Sequence, residues 1–164
     1  MTLSVGSYAF YGCTALGNIT LPDGVTSVGD YAFYGCTSLE SAVMGSGVTS
    51  VGEYAFGYCT ALTEITLPDG VTSVGDYVFY NCTSLESAVM GSGVTSVGSY
   101  AFGYCTALTE ITLPDGVEDI GAYAFRGCAS LLSVSVPGEP VPKLDEIRRW
   151  VDDGFGKGQI LLRI

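Results

Sequence analysis

Six cysteines stand at 13, 36, 59, 82, 105 and 128, so that every interval between neighbours is 23 residues. The residues around them return in the same phase: GVTSVGDYAFYGC from Gly24, GVTSVGEYAFGYC from Gly47, GVTSVGDYVFYNC from Gly70 and GVTSVGSYAFGYC from Gly93. A strict period of this length belongs to a solenoid, in which each unit buries its apolar face only against the units before and after it. The chain is therefore read as a stacked array. Such an array is a scaffold, and the period by itself carries no chemistry.

Composition agrees with a buried core: of 164 residues, 48% are hydrophobic and 14% charged. The net charge of −11 is unevenly spread, because all six basic residues (Arg126, Lys143, Arg148, Arg149, Lys157 and Arg163) follow position 125, and twelve acids precede it. Such a surface repels phosphate backbones and anionic headgroups, which argues against nucleic acid as a partner and against electrostatic membrane docking. No apolar run approaches the ~20 residues of a membrane span. Met1 opens into a truncated repeat with no signal peptide in the sequence as given.

Within one unit, Leu16, Ile19, Leu21, Val25, Val28, Ala32, Phe33 and Cys36 can all face one interior. The alternation Ile19, Thr20, Leu21 reads as a strand with Thr20 outward, closed by the turn signal Pro22-Asp23-Gly24. Gly29 followed by Asp30-Tyr31-Ala32-Phe33 reads as one or two helical turns. The L..I.L strand, V..VG arm and AF..C segment together resemble the BspA-like, or Treponema pallidum type, leucine-rich repeat, over residues 1 to about 138. The resemblance implies an α/β repeat solenoid: a right-handed leucine-rich-repeat coil with a parallel β-sheet on one flank and short helical turns on the other. Its six strands start at Asn18, Ser41, Glu64, Ser87, Glu110 and Ser133.

A second period overlies the first. Residues 24 to 69 and 70 to 115 differ at three of 46 positions (Ala32/Val78, Gly35/Asn81 and Glu53/Ser99), and LPDG units alternate with VMGSG units. Electrostatics offers one reason, since equivalent residues sit side by side in a parallel stack and the alternation keeps like charges two coils apart. After Pro137 the pattern stops. Residues 139 to 164 read as a Pro/Gly linker, a helix from Lys143 to Asp153 with Leu144, Ile147, Trp150 and Val151 on one face, and a strand from Gln159 to Ile164. This segment suits a cap over the last repeat, with the start of a further domain as the rival reading.

Reactive groups are few. A Ser or Cys nucleophile lacks a nearby base, because His is absent and lysines occur only in the tail. Glu64 and Glu110 share a face, but nothing around them desolvates a carboxyl. The chain is expected to be no enzyme and to hold no cofactor or metal, and the cysteines read as buried thiols beside Phe10, Phe33, Phe56, Phe79, Phe102 and Phe125. Two surfaces are candidates for contact. The open sheet face carries Thr20, Val43, Glu64, Thr66, Val89, Glu110 and Thr112, and the opposite flank carries all eleven tyrosines. The resemblance implies a non-catalytic protein-binding or cell-surface adhesion module, located at the cell surface or secreted, with a protein ligand. The alternative is a structural spacer or consensus-designed scaffold without a natural ligand. An N-terminal face lined by Val5, Ala9 and Phe10 suggests a homodimer.

Overall fold

A computed structural model of the chain describes residues 3–135 together with 149, 151 and 152. Strands are numbered in chain order. The L-x-I-x-L stretches form β2 (Asn18–Leu21), β4 (Ser41–Met44), β6 (Glu64–Thr66), β8 (Ser87–Val89), β10 (Glu110–Thr112) and β12 (Ser133–Ser135), which start at the six residues expected. The V-x-x-V arms form a further set: β1 (Leu3–Val5), β3 (Val25–Val28), β5 (Ser50–Val51), β7 (Ser73–Val74), β9 (Ser96–Val97) and β11 (Asp119–Ile120). Every pairing is parallel and joins equivalent strands of successive coils. The result is a parallel β-solenoid. Coils 1 to 5 begin at Asn18, Ser41, Glu64, Ser87 and Glu110.

The arms complete a six-stranded sheet that the sequence reading treated only as inward-pointing residues, while the L-x-I-x-L sheet divides into β2-β4 and β6-β8-β10-β12. Between the sheets lies a core in which Phe33, Phe56, Phe79, Phe102 and Phe125 are each no more than 1% exposed. Their rings stack in a column with Phe10, neighbouring centroids 5.1 to 5.9 Å apart. Beside them Cys36, Cys59, Cys82, Cys105 and Cys128 are buried free thiols, and Cys13, ahead of coil 1, is half-buried. Each buried Sγ donates to a phenylalanine carbonyl of the preceding coil, as Cys59 does to Phe33 at 3.2 Å and Cys82 to Phe56 at 3.1 Å. A buried thiol thus has a partner at every interface, which a purely hydrophobic slot did not suggest.

The third flank corrects the expectation of helical turns. Ala32, Tyr34 and Cys36 donate locally to Gly29, Tyr31 and Phe33, but the intervening amides of Tyr31, Phe33 and Gly35 donate to Glu53, Ala55 and Gly57 of the next coil, at 2.8 to 2.9 Å. An α-helix cannot form when every second amide is drawn out of the segment. The chain instead makes linked tight turns, with a positive φ at two positions per coil: Tyr31 (57°) and Gly35 (72°), then Tyr54 (56°) and Tyr58 (57°), and so on. That φ sits third in its turn, as in type II turns. The stack outweighs the strain of left-handed tyrosines, about 1 to 2 kcal/mol each, because their rings and amides both bond to neighbouring coils.

At the far end, Arg149, Val151 and Asp152 are helical. Val151 is 4% exposed and joins the core. Its carbonyl accepts the Gly127 amide at 3.0 Å, where Tyr104 of the previous coil donates to Arg126. The expected linker, Trp150 and the final strand lie outside the described residues.

Candidate functional site

The period of 46 sets glycine at two close approaches between coils. Coils 1 and 2 form one close pair and coils 3 and 4 another. Proline stands at 22, 68 and 114, and glycine occupies the equivalent positions 45 and 91. A Cβ on Gly45 would lie 2.7 Å from the Pro22 carbonyl carbon and the Asp23 amide, and one on Gly91 would lie 2.5 Å from the Pro68 oxygen. Glycine lets the even coil settle onto the odd one at these two interfaces. The acids then reach across the close interfaces. Asp23 Oδ1 accepts the Ser46 amide and Asp69 Oδ1 the Ser92 amide, both at 2.9 Å. Asp30 and Asp76 accept the amides of Glu53 and Ser99 at 2.8 Å.

Between coils 2 and 3 these ties stop. The sheet pairs four residues across β2 and β4 and three across β6 and β8, but none across β4 and β6. Thr49 and Thr95 donate their amides to Thr26 and Thr72 at 2.8 Å, and Gly52 and Gly98 donate to Val28 and Val74 at 2.8 and 2.7 Å. No equivalent short bond runs from Thr72 or Gly75. Among the described residues, the side-chain hydrogen bond crossing this seam is that of Cys82 to Phe56. The turn flank continues through it, with Phe56 donating to Val78 at 2.9 Å and the Tyr54 and Tyr77 rings 4.5 Å apart. The seam thus opens on the sheet side alone.

Here the outward residues named from sequence gather. Thr20, Val43, Glu64, Thr66, Val89, Glu110 and Thr112 are all exposed, Val43 and Val89 at 56% each. Register sets Thr20 beside Val43, and Thr66 beside Val89 beside Thr112. The seam parts the first group from the second. A depression of about 560 Å³ crosses it, lined by Val43, Glu64 and Thr66 and also by Met44, Pro68 and Asp69. A smaller depression of about 230 Å³ lies over the paired strands β8 and β10, lined by Val89, Glu110 and Thr112. Met44, Pro68 and Asp69 escaped the sequence reading because they fill slots equivalent to Leu21, Gly45 and Ser46, and the period assigned those to core and turn. The alternation of LPDG with VMGSG was the signal that could have found them.

The tyrosine flank is built differently. Tyr8, Tyr31, Tyr54, Tyr77, Tyr100 and Tyr123 stack with centroids 4.5 to 5.1 Å apart and planes within 21° of parallel. Their faces are occupied by one another, which leaves ring edges to solvent. Burial, then the neighbouring Tyr77 hydroxyl, pushes the Tyr54 pKa up to about 12. Burial likewise pushes Cys82 and Cys128 up to about 12 and raises Cys59 and Cys105, so these thiols are poor nucleophiles. Among the described residues no three potential ligands converge on a metal site, and no helix is long and apolar enough to cross a membrane.

The family model of the BspA type leucine rich repeat region matches six copies, over residues 2–109 and 26–147, and the chain belongs to that family. Among solved structures it is similar to the leucine-rich repeat protein of T. pallidum, at 34% identity and a TM-score of 0.79, over 81% of this chain and 62% of that one. It is also similar to a leucine-rich cell surface protein of Faecalibacterium prausnitzii A2-165, at 31% identity and a TM-score of 0.60, over 84% of this chain and 44% of that one. A leucine-rich repeat protein of Bacteroides ovatus matches at 31% identity and a TM-score of 0.60, over 79% of this chain and 39% of that one. The chain thus spans less than two thirds of the length of each. No curated protein matches it.

Proposed function

We propose that the chain is a non-catalytic protein-binding module, working at a cell surface or after secretion in adhesion to a protein ligand. The observation that carries this reading is the pair of valines, Val43 and Val89, held 56% exposed among threonines on a sheet whose other side is the packed core. Apolar side chains kept outward on a rigid sheet favour contact with another surface. Membership of a leucine-rich repeat family, whose members are generally interaction modules, supports it, as does the cell-surface description of the F. prausnitzii relative. Surface plasmon resonance over purified extracellular-matrix and cell-surface proteins is the test. A protein that binds the native chain and loses at least tenfold affinity for a Thr66→Arg/Thr112→Arg variant supports the reading, and uniform absence of binding rejects it.

That absence would favour the second reading, a structural spacer or designed scaffold. The near-identity of residues 24 to 69 with 70 to 115 speaks for it, because recognition usually diversifies exposed positions.

The two ends enter the same proposal. Residues 139 to 164 act as a cap, a role supported by buried Val151 and its bond from Gly127. The N-terminal face, where Val5, Phe10, Cys13, Leu16 and Ile19 are only half-buried, is the candidate contact of a twofold dimer. Side chains must carry that contact, since it would bring the outward carbonyls of Ser7, Ala9 and Tyr11 of both copies together. Light scattering tests both: a monomeric chain rejects the dimer, and a soluble, unchanged chain lacking residues 139 to 164 rejects the cap.

A further inference from the structure

We infer that the sheet face takes a basic, proline-rich segment in the polyproline II conformation, lying along the solenoid axis with a Lys or Arg at every third residue. This rests on the protein-binding reading and names the chemistry of the ligand. The outward residues repeat every two coils: Val43 stands on one lip of the seam with Glu64 and Thr66 on the other, and Val89 lies beside Thr112 on the paired strands β8 and β10, next to Glu110. The two depressions share Val89 and Met90, so they form one groove across the strands. Paired parallel strands lie about 4.8 Å apart, so Glu64 on β6 and Glu110 on β10, joined through β8, repeat at about 9.6 Å.

A polyproline II helix has three residues per turn and a rise near 3.1 Å, hence a pitch of about 9.3 Å. Side chains at i and i+3 therefore fall opposite Glu64 and Glu110 without strain. The intervening prolines lie over Val43 and Val89, with their carbonyls toward the Thr66 and Thr112 hydroxyls. Extended β structure repeats every second residue, about 6.6 to 6.8 Å, and a helix turns every 5.4 Å; neither matches the spacing. The charge of the ligand follows from the groove. Glu64, Asp69 and Glu110 line it and no cation does, and residues 1 to 125 carry no Lys or Arg at all. A polyproline II segment is also extended before it binds, so little ordering entropy opposes docking.

The test uses the full chain and two fluorescein-labelled peptides of one composition: four Lys-Pro-Pro repeats, and the same residues with the four lysines together at one end. Fluorescence anisotropy should show the periodic peptide binding at least tenfold more tightly. Glu64→Gln and Glu110→Gln should each weaken it about threefold, as loss of an exposed ion pair does, and added salt should weaken it further. Equal binding of the two peptides would reduce the effect to bulk charge and overturn the inference. So would self-association of the chain through this face, seen as peptide release with rising protein concentration. If neither peptide binds while a protein found in the resonance screen still does, this inference falls and the broader reading stands; if both tests are blank, both fall.

Discussion

Coils 1 and 2 hold each other by two ladders, two aspartate caps and a glycine seat, whereas coils 2 and 3 are held across their sheets by a single residue pair, Val51 with Val74. The two interfaces have the same core phenylalanines, the same thiol bond and the same tyrosine stack. What separates them is the set of aspartate and glycine contacts that the first interface makes and the second lacks. Pro-Asp below Gly-Ser closes the interface, because glycine admits the approach and aspartate spans to the next amide. Between coils 2 and 3, where Gly-Ser lies below Pro-Asp, Ser46 is too short to reach the Asp69 amide; the same order between coils 4 and 5 still leaves β8 paired with β10 and Gly121 donating to Val97 at 2.6 Å, so it does not open an interface by itself. Charge spacing, which the sequence first suggests for this alternation, accompanies those aspartate contacts.

The comparison breaks most sharply at glycine. Gly98 and Gly75 are equivalent, but a Cβ would lie 2.5 Å from the Gly75 carbonyl carbon in the first case and 3.5 Å from the Val51 oxygen in the second. Gly98→Ala should cost about 3 kcal/mol or more by forcing backbones apart, and Gly75→Ala less than about 1. Urea denaturation of the two variants measures the difference; equal losses would show that the two interfaces are equally close.

Alkali should act on all interfaces alike, because a thiol sits in each. Burial raises the Cys82 and Cys128 pKa from 9.0 to about 12. In the fold these thiols stay protonated while the unfolded chain ionises, so their contribution is complete below pH 9 and is lost as the pH climbs toward 12. Stability followed by circular dichroism should be flat from neutrality to about pH 8.5 and then fall. Replacing Cys82 and Cys128 by Ala should shallow that fall.

A smaller effect separates the acids. Asp76 accepts the Ser99 amide, and Glu53 at the equivalent position bonds no amide of coil 3. Asp76→Ala should cost about 1 kcal/mol and Glu53→Ala close to nothing. A gain for Glu53→Ala would sharpen the comparison, as Glu53 and Asp76 are acids at equivalent positions of neighbouring coils. The smallest effect is at Tyr58, which adopts a φ of 57° where the equivalent residue of coil 1 is Gly35. Tyr58→Gly relieves the backbone but loses ring contacts to Tyr34 and Tyr80 at 5.2 and 5.7 Å. The net change in melting temperature should be within a few degrees.

Much of this was legible from residue periodicity. The six strand starts, the inward slots of Phe33 and Cys36, the stacking of Tyr31 on Tyr54 and the outward set from Thr20 to Thr112 follow from a 23-residue repeat read with a period of two inside it. The turn flank was not legible. Asp30-Tyr31-Ala32-Phe33 carries residues that suit a helix, and only the neighbouring coil, by drawing away alternate amides, forbids one. The seam was hidden for a similar reason. Val43 and Val89 could be placed outward from alternation, but the break beside Val43 depends on the contacts that coils 2 and 3 make with each other, and that is a property of two coils together.

The open seam between two close pairs, coils 1 with 2 and coils 3 with 4, is tested most directly by native-state hydrogen exchange measured by NMR. The amides of Thr49, Gly52, Thr95 and Gly98, bonded to the preceding coil within the pairs, should exchange slowly; those of Thr72 and Gly75, at the seam, should exchange at least about tenfold faster. Equal protection at all six positions would contradict the pairing and return the molecule to a uniform stack.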